Sequence, residues 1–229
     1  MIDLHTHILP GIDDGSQSPE MSLQMLRMLA QQGIDTVVAT PHFSALKESP
    51  AGFLERRNQA MAQLPVEEGL PRVLPGAEVA YFMGMSHCEE LPLLRIGDSD
   101  LILIEMPFGG WTDRMVEEVC ALSHQRGLMP VLAHVDRYDR KDQFPRYEAA
   151  LEGQVFFQYN AAAFLKAFGG SAMSSLRRGG VHFLGSDCHN TDHRAPNMGD
   201  ALAKIRKRLG NEVLEELKEF ANSWLFPEE

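Results

Sequence analysis

Short apolar runs, many of them β-branched, recur along the chain, and most are followed by a stretch with helical spacing. The first run, residues 2–7, reads as a strand with Asp3, His5 and His7 on one face and Ile2, Leu4 and Thr6 on the other. Ser18 then serves as an N-cap, Pro19 as the first helical position and Glu20 as a first-turn acid. The helix they start carries Leu23, Met25, Leu26, Leu29 and Ala30 and stops at Gly33. Further strands are expected over 36–40, 72–79, 101–106, 129–134, 155–160 and 182–187. Helices are expected over about 51–64, from Thr112 or Asp113 to Arg126, over about 144–151, 161–178 and 197–209, and over 211–223. The stretch between the third and fourth strands carries no convincing long helix and reads as an irregular connection.

Strands rich in Val, Ile and Leu on both faces, alternating with helices, point to a buried parallel sheet. The polar residues choose between its forms. His7, His42, Glu78, Glu105, His134, Asn160 and Asp187 all fall at the C-terminal ends of strands. In a closed or nearly closed barrel those ends form one rim around one centre. An open sheet would concentrate its site at a switch point instead. With no linker, repeat or low-complexity segment, residues 1–229 read as a single domain.

A net charge of −11 argues against broad nucleic-acid binding, although a metal site can reverse the field locally. Cys88, Cys120 and Cys188 form no CxxC and no disulfide framework. No signal peptide is visible, and no apolar run approaches transmembrane length. These features lead us to expect a cytoplasmic protein that is not embedded in a membrane.

His5, His7, His42, His134 and His189 lie at strand ends or just beyond, with Asp14, Glu78, Glu105 and Asp187. Imidazoles and carboxylates are the ligands of borderline and hard divalent ions. An ionised Glu105 next to Leu103 and Ile104 is costly to bury unless it is paired or metal-bound. Nine such residues exceed one ion's needs and suit about three sites of three to four protein ligands each. Clustered metals clamp a phosphoryl group and make water a nucleophile. Without thiolates, the set leans toward Mn²⁺, with Fe or Zn²⁺ as alternatives. The bland reading is a hydrogen-bonded polar barrel mouth. His87, His124, His182 and His193 are assigned surface or core roles.

Arg137 and Arg194 stand three and five residues beyond His134 and His189. Guanidinium forks suit phosphate oxygens and the charge that develops on them. The spacing Cys-x₅-Arg, a signature of thiolate phosphatases, occurs at Cys120–Arg126 and at Cys188–Arg194. The first lies in a helical stretch. The second lacks a phosphate-cradling glycine and carries Asp187 and Asp192, which oppose both a thiolate and a phosphate.

His5-Thr-His7, Asp14, Pro41-His42, Gly76-Ala-Glu78, Leu103-Ile-Glu105, Ala133-His134 and Ser186-Asp-Cys-His189-Asn190 resemble the motifs of the PHP (polymerase and histidinol phosphatase) superfamily. The segments 7–15, 134–138 and 189–194 resemble its CpsB-like branch, bacterial protein-tyrosine phosphatases of capsule and exopolysaccharide operons. One departure is Asp136, where the branch usually carries Glu before Arg-Tyr. The resemblance runs over residues 2–199. It implies a distorted TIM-like (β/α)₇ barrel with a manganese-preferring trinuclear centre. His5, His7, Glu78 and Asp187 would hold one ion, with Glu78 bridging to a second alongside Glu105 and His134. Asp14, His42 and His189 would hold the third, and Arg137 and Arg194 would bind phosphate. The implied substrate is phosphotyrosine on the tail of a bacterial membrane tyrosine kinase. The alternatives are another phosphoesterase, such as a histidinol phosphatase or a nuclease, and a non-catalytic kinase-binding regulator. An amidohydrolase also opens with His-x-His, but no strand-end lysine is evident to serve as its carbamate bridge.

Overall fold

The computed structural model describes residues 1–138, 143–167 and 170–227. Its strands are β1 (Ile2–Thr6), β2 (Thr36–Ala39), β3 (His42–Phe43), β4 (Arg72–Pro75), β5 (Glu78–Ala80), β6 (Leu101–Glu105), β7 (Met129–Leu132), β8 (Phe156–Asn160) and β9 (Phe183–Gly185). All pairings between them are parallel, in the orders β1-β2-β4 and β3-β5-β6-β7-β8-β9. The two sets form one distorted barrel. β2 and β3 are successive pieces of one strand bent at Thr40-Pro41, and β4 and β5 of another bent at Gly76-Ala77. Backbone bonds from Gly76 N to Ala39 O (2.8 Å) and from Glu78 N to Pro41 O (3.0 Å) carry the ladder across the bends. The chain just past β9 returns to β1 through Asp187 N to His5 O (2.8 Å) and His7 N to Cys188 O (2.9 Å). Gly185 makes this seam possible, since a Cβ there would lie 2.6 Å from His5 Cβ.

Alternate strand residues fall into two separate apolar clusters, as a period of two requires. Leu4, Val38, Leu74, Leu101, Leu103, Val131 and Phe183 pack with Ala221 and Leu225 of the last helix, α8 (Glu212–Leu225), and form the floor beneath the rim. Val37, Ile102, Ile104, Leu132 and Leu184 pack instead against the surrounding helices. These begin with α1 (Pro19–Gln31), whose cap Ser18 accepts a hydrogen bond from Met21 N at 3.3 Å. The others are α2 (Pro50–Met61), α3 (Asp113–Arg126), α4 (Gln143–Leu151), α5 (Ala161–Leu165), α6 (Gly170–Arg177) and α7 (Met198–Leu209). None of the described helices is long and apolar enough to cross a membrane.

The expected elements shift in places. The helix expected over 161–178 is two helices, and residues 168–169 of that span lie outside the described residues. The strand expected over 72–79 is broken at Gly76, and α2 ends at Met61 rather than near Leu64. His134 and Asp187, expected at the ends of their strands, lie beyond them in the left-handed region, with φ of 35° and 54°. Such backbone costs about 1–3 kcal/mol per residue in a non-glycine side chain and tends to collect at functional sites.

Candidate metal centre

The rim is built first by the turn after β1. Gly15 lies against His7, and a Cβ on it would come within 2.5 Å of His7 Cβ. That contact folds the Asp13-Asp14 pair back over the strand and divides its labour. Asp13 is buried. Its Oδ2 accepts from His7 Nδ1 at 2.7 Å and from His42 N at 3.1 Å, and its Oδ1 accepts from Gly15 N at 2.9 Å. Asp14 is 64% exposed and reaches His42 Nε2 at 3.3 Å and His189 Nε2 at 3.4 Å.

Glu78, at the start of β5, is the hub. Its Oε2 lies 3.3 Å from both His5 Nε2 and His7 Nε2 and 2.9 Å from His42 Nδ1, and its Oε1 lies 2.9 Å from His134 Nε2. Glu105 comes within 3.4 Å of His134 Nε2. Asp187 lies 3.8 Å from His5 Nε2 and 3.6 Å from His7 Nε2. Both arginines meet at Asp187. Arg137 Nη2 bonds its Oδ2, and Arg194 Nη2 bonds its Oδ1 at 2.8 Å. All eleven residues singled out from the sequence therefore converge on one rim.

Three imidazoles are aimed by an oxygen behind them. Nδ1 donates to Gln158 Oε1 in His5 (3.1 Å), to Asp13 in His7 and to the Asp187 backbone carbonyl in His189 (3.0 Å). Each bond turns Nε2 toward the centre, the arrangement that fixes the tautomer of a metal-ligating histidine. Behind the rim, Asn160 was among the strand-end polar residues read from the sequence, whereas Gln158 and Asp13 were not legible as site residues. Gln158 also accepts from His134 N at 2.7 Å and donates to Asn160 Oδ1 at 3.0 Å. Asn160 Nδ2 in turn donates to Asp187 Oδ2 at 3.0 Å. For Gln158 the signal was a polar side chain in the middle of an apolar strand. For Asp13 there was none, because nothing local separates it from Asp14.

The electrostatics follow from burial and charge. Burial opposes the cationic form of His5, but Glu78 and Asp187 outweigh it and lift the imidazole to about 9. His42 is also desolvated and is likewise raised to about 9, by Glu78 and then the two aspartates. His189 goes the other way. Burial, with His7 and Arg194 beside it, depresses it to about 4. Burial raises Asp187, yet His5, Arg137 and His7 hold it below the usual carboxylate range.

Glu78 Oε2 and His189 Nε2 are buried and make no hydrogen bond of good geometry. His5 Nε2 and His7 Nε2 face each other at 3.1 Å, a contact that a single shared proton must satisfy. Ligand atoms of His5, His7 and Asp187 lie within 4.8 Å of one another, as do those of His7, Asp14, His42 and His189, and those of His42, Glu78 and Glu105. Nitrogen and oxygen donors converging with unsatisfied lone pairs fit divalent cations. The grouping is less cleanly divided than the motif resemblance implies, because His7 falls in with Asp14 as well as with His5 and Asp187.

Residues 1–223 match the model of the family described as capsular polysaccharide synthesis, CpsB/CapC. The chain belongs to the CpsB/CapC family. Among its relatives is the tyrosine-protein phosphatase YwqE of Bacillus subtilis, 32% identical over 93% of this chain and 87% of that one. The tyrosine-protein phosphatase CpsB of Streptococcus pneumoniae is 30% identical over 95% and 94% of the two chains. A solved structure from work on YwqE and CpsB, described as unique metal-dependent tyrosine phosphatases, superposes with a TM-score of 0.84 at 29% identity. It covers 98% of this chain and 94% of that one. The phosphotriesterase homology protein of Escherichia coli shares the fold at a TM-score of 0.57 and 13% identity, over 98% of both chains. The family and its fold neighbours agree with the distorted barrel traced above.

Proposed function

We propose that this CpsB/CapC protein is a metal-dependent protein-tyrosine phosphatase. The observation that carries the reading is Glu78, a buried carboxylate among four histidines with one oxygen lacking a hydrogen bond. The phosphatase names of YwqE and CpsB, and the metal dependence ascribed to them, support it. His5, His7, Glu78 and Asp187 would hold one ion. Glu78, Glu105 and His134 would hold a second, and Asp14, His42 and His189 a third. Imidazole and carboxylate donors without thiolate favour Mn²⁺, with Fe or Zn²⁺ as alternatives. Cations bound there supply Lewis acidity at the phosphoryl oxygens and lower the pKa of water.

The chain's own residues do the rest. Arg137 and Arg194, already drawn to the carboxylate of Asp187, present guanidinium donors to phosphoryl oxygens and offset the charge developing on them. Gln158 and Asp13 hold His5 and His7 in the tautomer that leaves Nε2 facing the cluster. Phenolate is a fair leaving group, so a dedicated general acid is less needed. Cys188 is a poor nucleophile here. It is buried, and burial followed by the charge of Asp3 pushes its thiol well above the ordinary range.

The substrate class is phosphotyrosine on a protein, placed on the tail of a bacterial membrane tyrosine kinase that governs capsule or exopolysaccharide synthesis. The protein acts in the cytoplasm as a single domain over 1–229. Phosphate release from phosphotyrosine peptide, histidinol phosphate and single-stranded DNA is measured with Mn²⁺, with chelator and in Cys188→Ser. Hydrolysis of the peptide that is lost to chelator and retained in the cysteine variant is the expected result. Chelator resistance together with loss of activity in Cys188→Ser would sink the proposal.

A further inference from the structure

Phe108 stands three residues past Glu105, the last residue of β6, so it leaves the barrel beside the cluster. Its ring lies nearly parallel to that of His134, with planes 15° and centroids 5.7 Å apart, and 5.7 Å from the ring of Tyr138. His134 and Tyr138 are buried, while Phe108 remains 45% exposed. The ring therefore covers the His134–Glu105 side of the rim and still presents apolar surface to solvent. Among the candidate ligands and arginines named above, the accessible side chains are polar or charged. Asp14 and His42 are exposed, and Arg137 and Arg194 partly so. An aromatic surface thus adjoins the groups suited to a phosphoryl group, and covering it removes apolar area from water.

We infer that Phe108 determines specificity by packing against the phenol ring of a phosphotyrosine side chain whose phosphoryl group lies at Arg137, Arg194 and the cluster. The inference rests on the phosphotyrosine reading and adds to it a residue that recognises the leaving group rather than the phosphate. Aromatic rings gain from offset-stacked or edge-to-face contact beyond the area they bury. A phosphoserine or phosphothreonine has no ring to place there. The contact therefore separates aryl from alkyl phosphomonoesters by binding, independently of how good a leaving group each carries.

The test uses the full chain loaded with Mn²⁺, a phosphotyrosine peptide as substrate and inorganic phosphate as a competitive inhibitor. Phe108→Leu keeps an apolar cover over His134 but removes the ring, and Phe108→Tyr keeps the ring. In Phe108→Leu, KM for the peptide should rise about tenfold while kcat, metal content and the inhibition constant of phosphate stay near wild type. Phe108→Tyr should retain the wild-type KM. An unchanged KM in Phe108→Leu overturns the inference, since an aliphatic cover then suffices. Equal weakening of phosphate and peptide, or loss of metal, also overturns it, because Phe108 would then only shape the cluster. Failure of the wild-type protein to hydrolyse phosphotyrosine removes the proposed function and this inference together, and that result is visible before any variant is made.

Discussion

At the base of the barrel His182 lies among aromatic rings, with centroids 4.9 Å from Phe156, 5.4 Å from Phe157 and 5.6 Å from Phe220. Its Nδ1 accepts from Phe157 N at 3.1 Å, and burial depresses it to about 4. At the rim His5 is fully buried among carboxylates and is raised to about 9. With no cation bound, the surroundings thus favour the neutral form of this side chain at one end and its cationic form at the other. At the base the desolvation cost is avoided by giving up the charge, and packing supplies the stability. At the rim the charges are kept and balanced against one another, at the cost of unsatisfied atoms and left-handed backbone at His134 and Asp187. A region that keeps such costs is arranged for a ligand rather than for folding alone.

If the two ends divide function from stability in this way, substitutions should separate them. Glu78→Gln removes the charge that four histidines share. Phosphatase activity should fall by about three orders of magnitude, with metal loss seen by elemental analysis. Retained metal and activity would break the comparison at its strongest point. Phe183→Ala empties a floor position and should cost about 3–5 kcal/mol in chemical denaturation while the variant still binds metal.

The base also predicts a pH dependence. The folded His182 has a pKa below its unfolded value of 6.5, so the unfolded chain binds more protons between pH 6.5 and about 4. Its contribution is fully present above pH 6.5 and is lost as pH falls through that window, up to about 3 kcal/mol. Denaturation of chelated wild type and His182→Gln at pH 7 and pH 5 isolates it. The wild type should lose more stability than the variant, and parallel losses would discard the assignment. The smallest effect is expected from Asp13→Asn, which keeps an acceptor for His7 but not the charge. Metal affinity should fall about 10–100-fold, with the melting temperature of the chelated protein nearly unchanged. A drop in the melting temperature without a change in affinity would make Asp13 a turn residue only.

What could be read along the chain was whatever neighbouring residues settle between themselves. The Ser18-Pro19 and Thr112 starts, the Gly127 stop and the strand alternation are local. They are satisfied by caps and by a period of two that reach only a few residues. The parallel, rim-centred barrel followed because apolar strands and strand-end polar residues recur in phase. Only the tertiary structure could decide which polar atoms meet. Asp13 and Asp14 are chemically alike and adjacent, and the contact of Gly15 with His7 turns one inward and leaves the other at the surface. Glu78 became the hub because β5 pairs with β3, which sets His42 beside it, and with β6, whose other neighbour β7 leads to His134, while the closing of the barrel brings the β1 histidines to the same carboxylate. Gln158 joined His5 to His134 across strands that are far apart in sequence. Propensity and pattern act over a few residues. The convergence of side chains from seven strand positions depends on register, bends and the seam that closes the barrel, and those are set by contacts between distant parts of the chain.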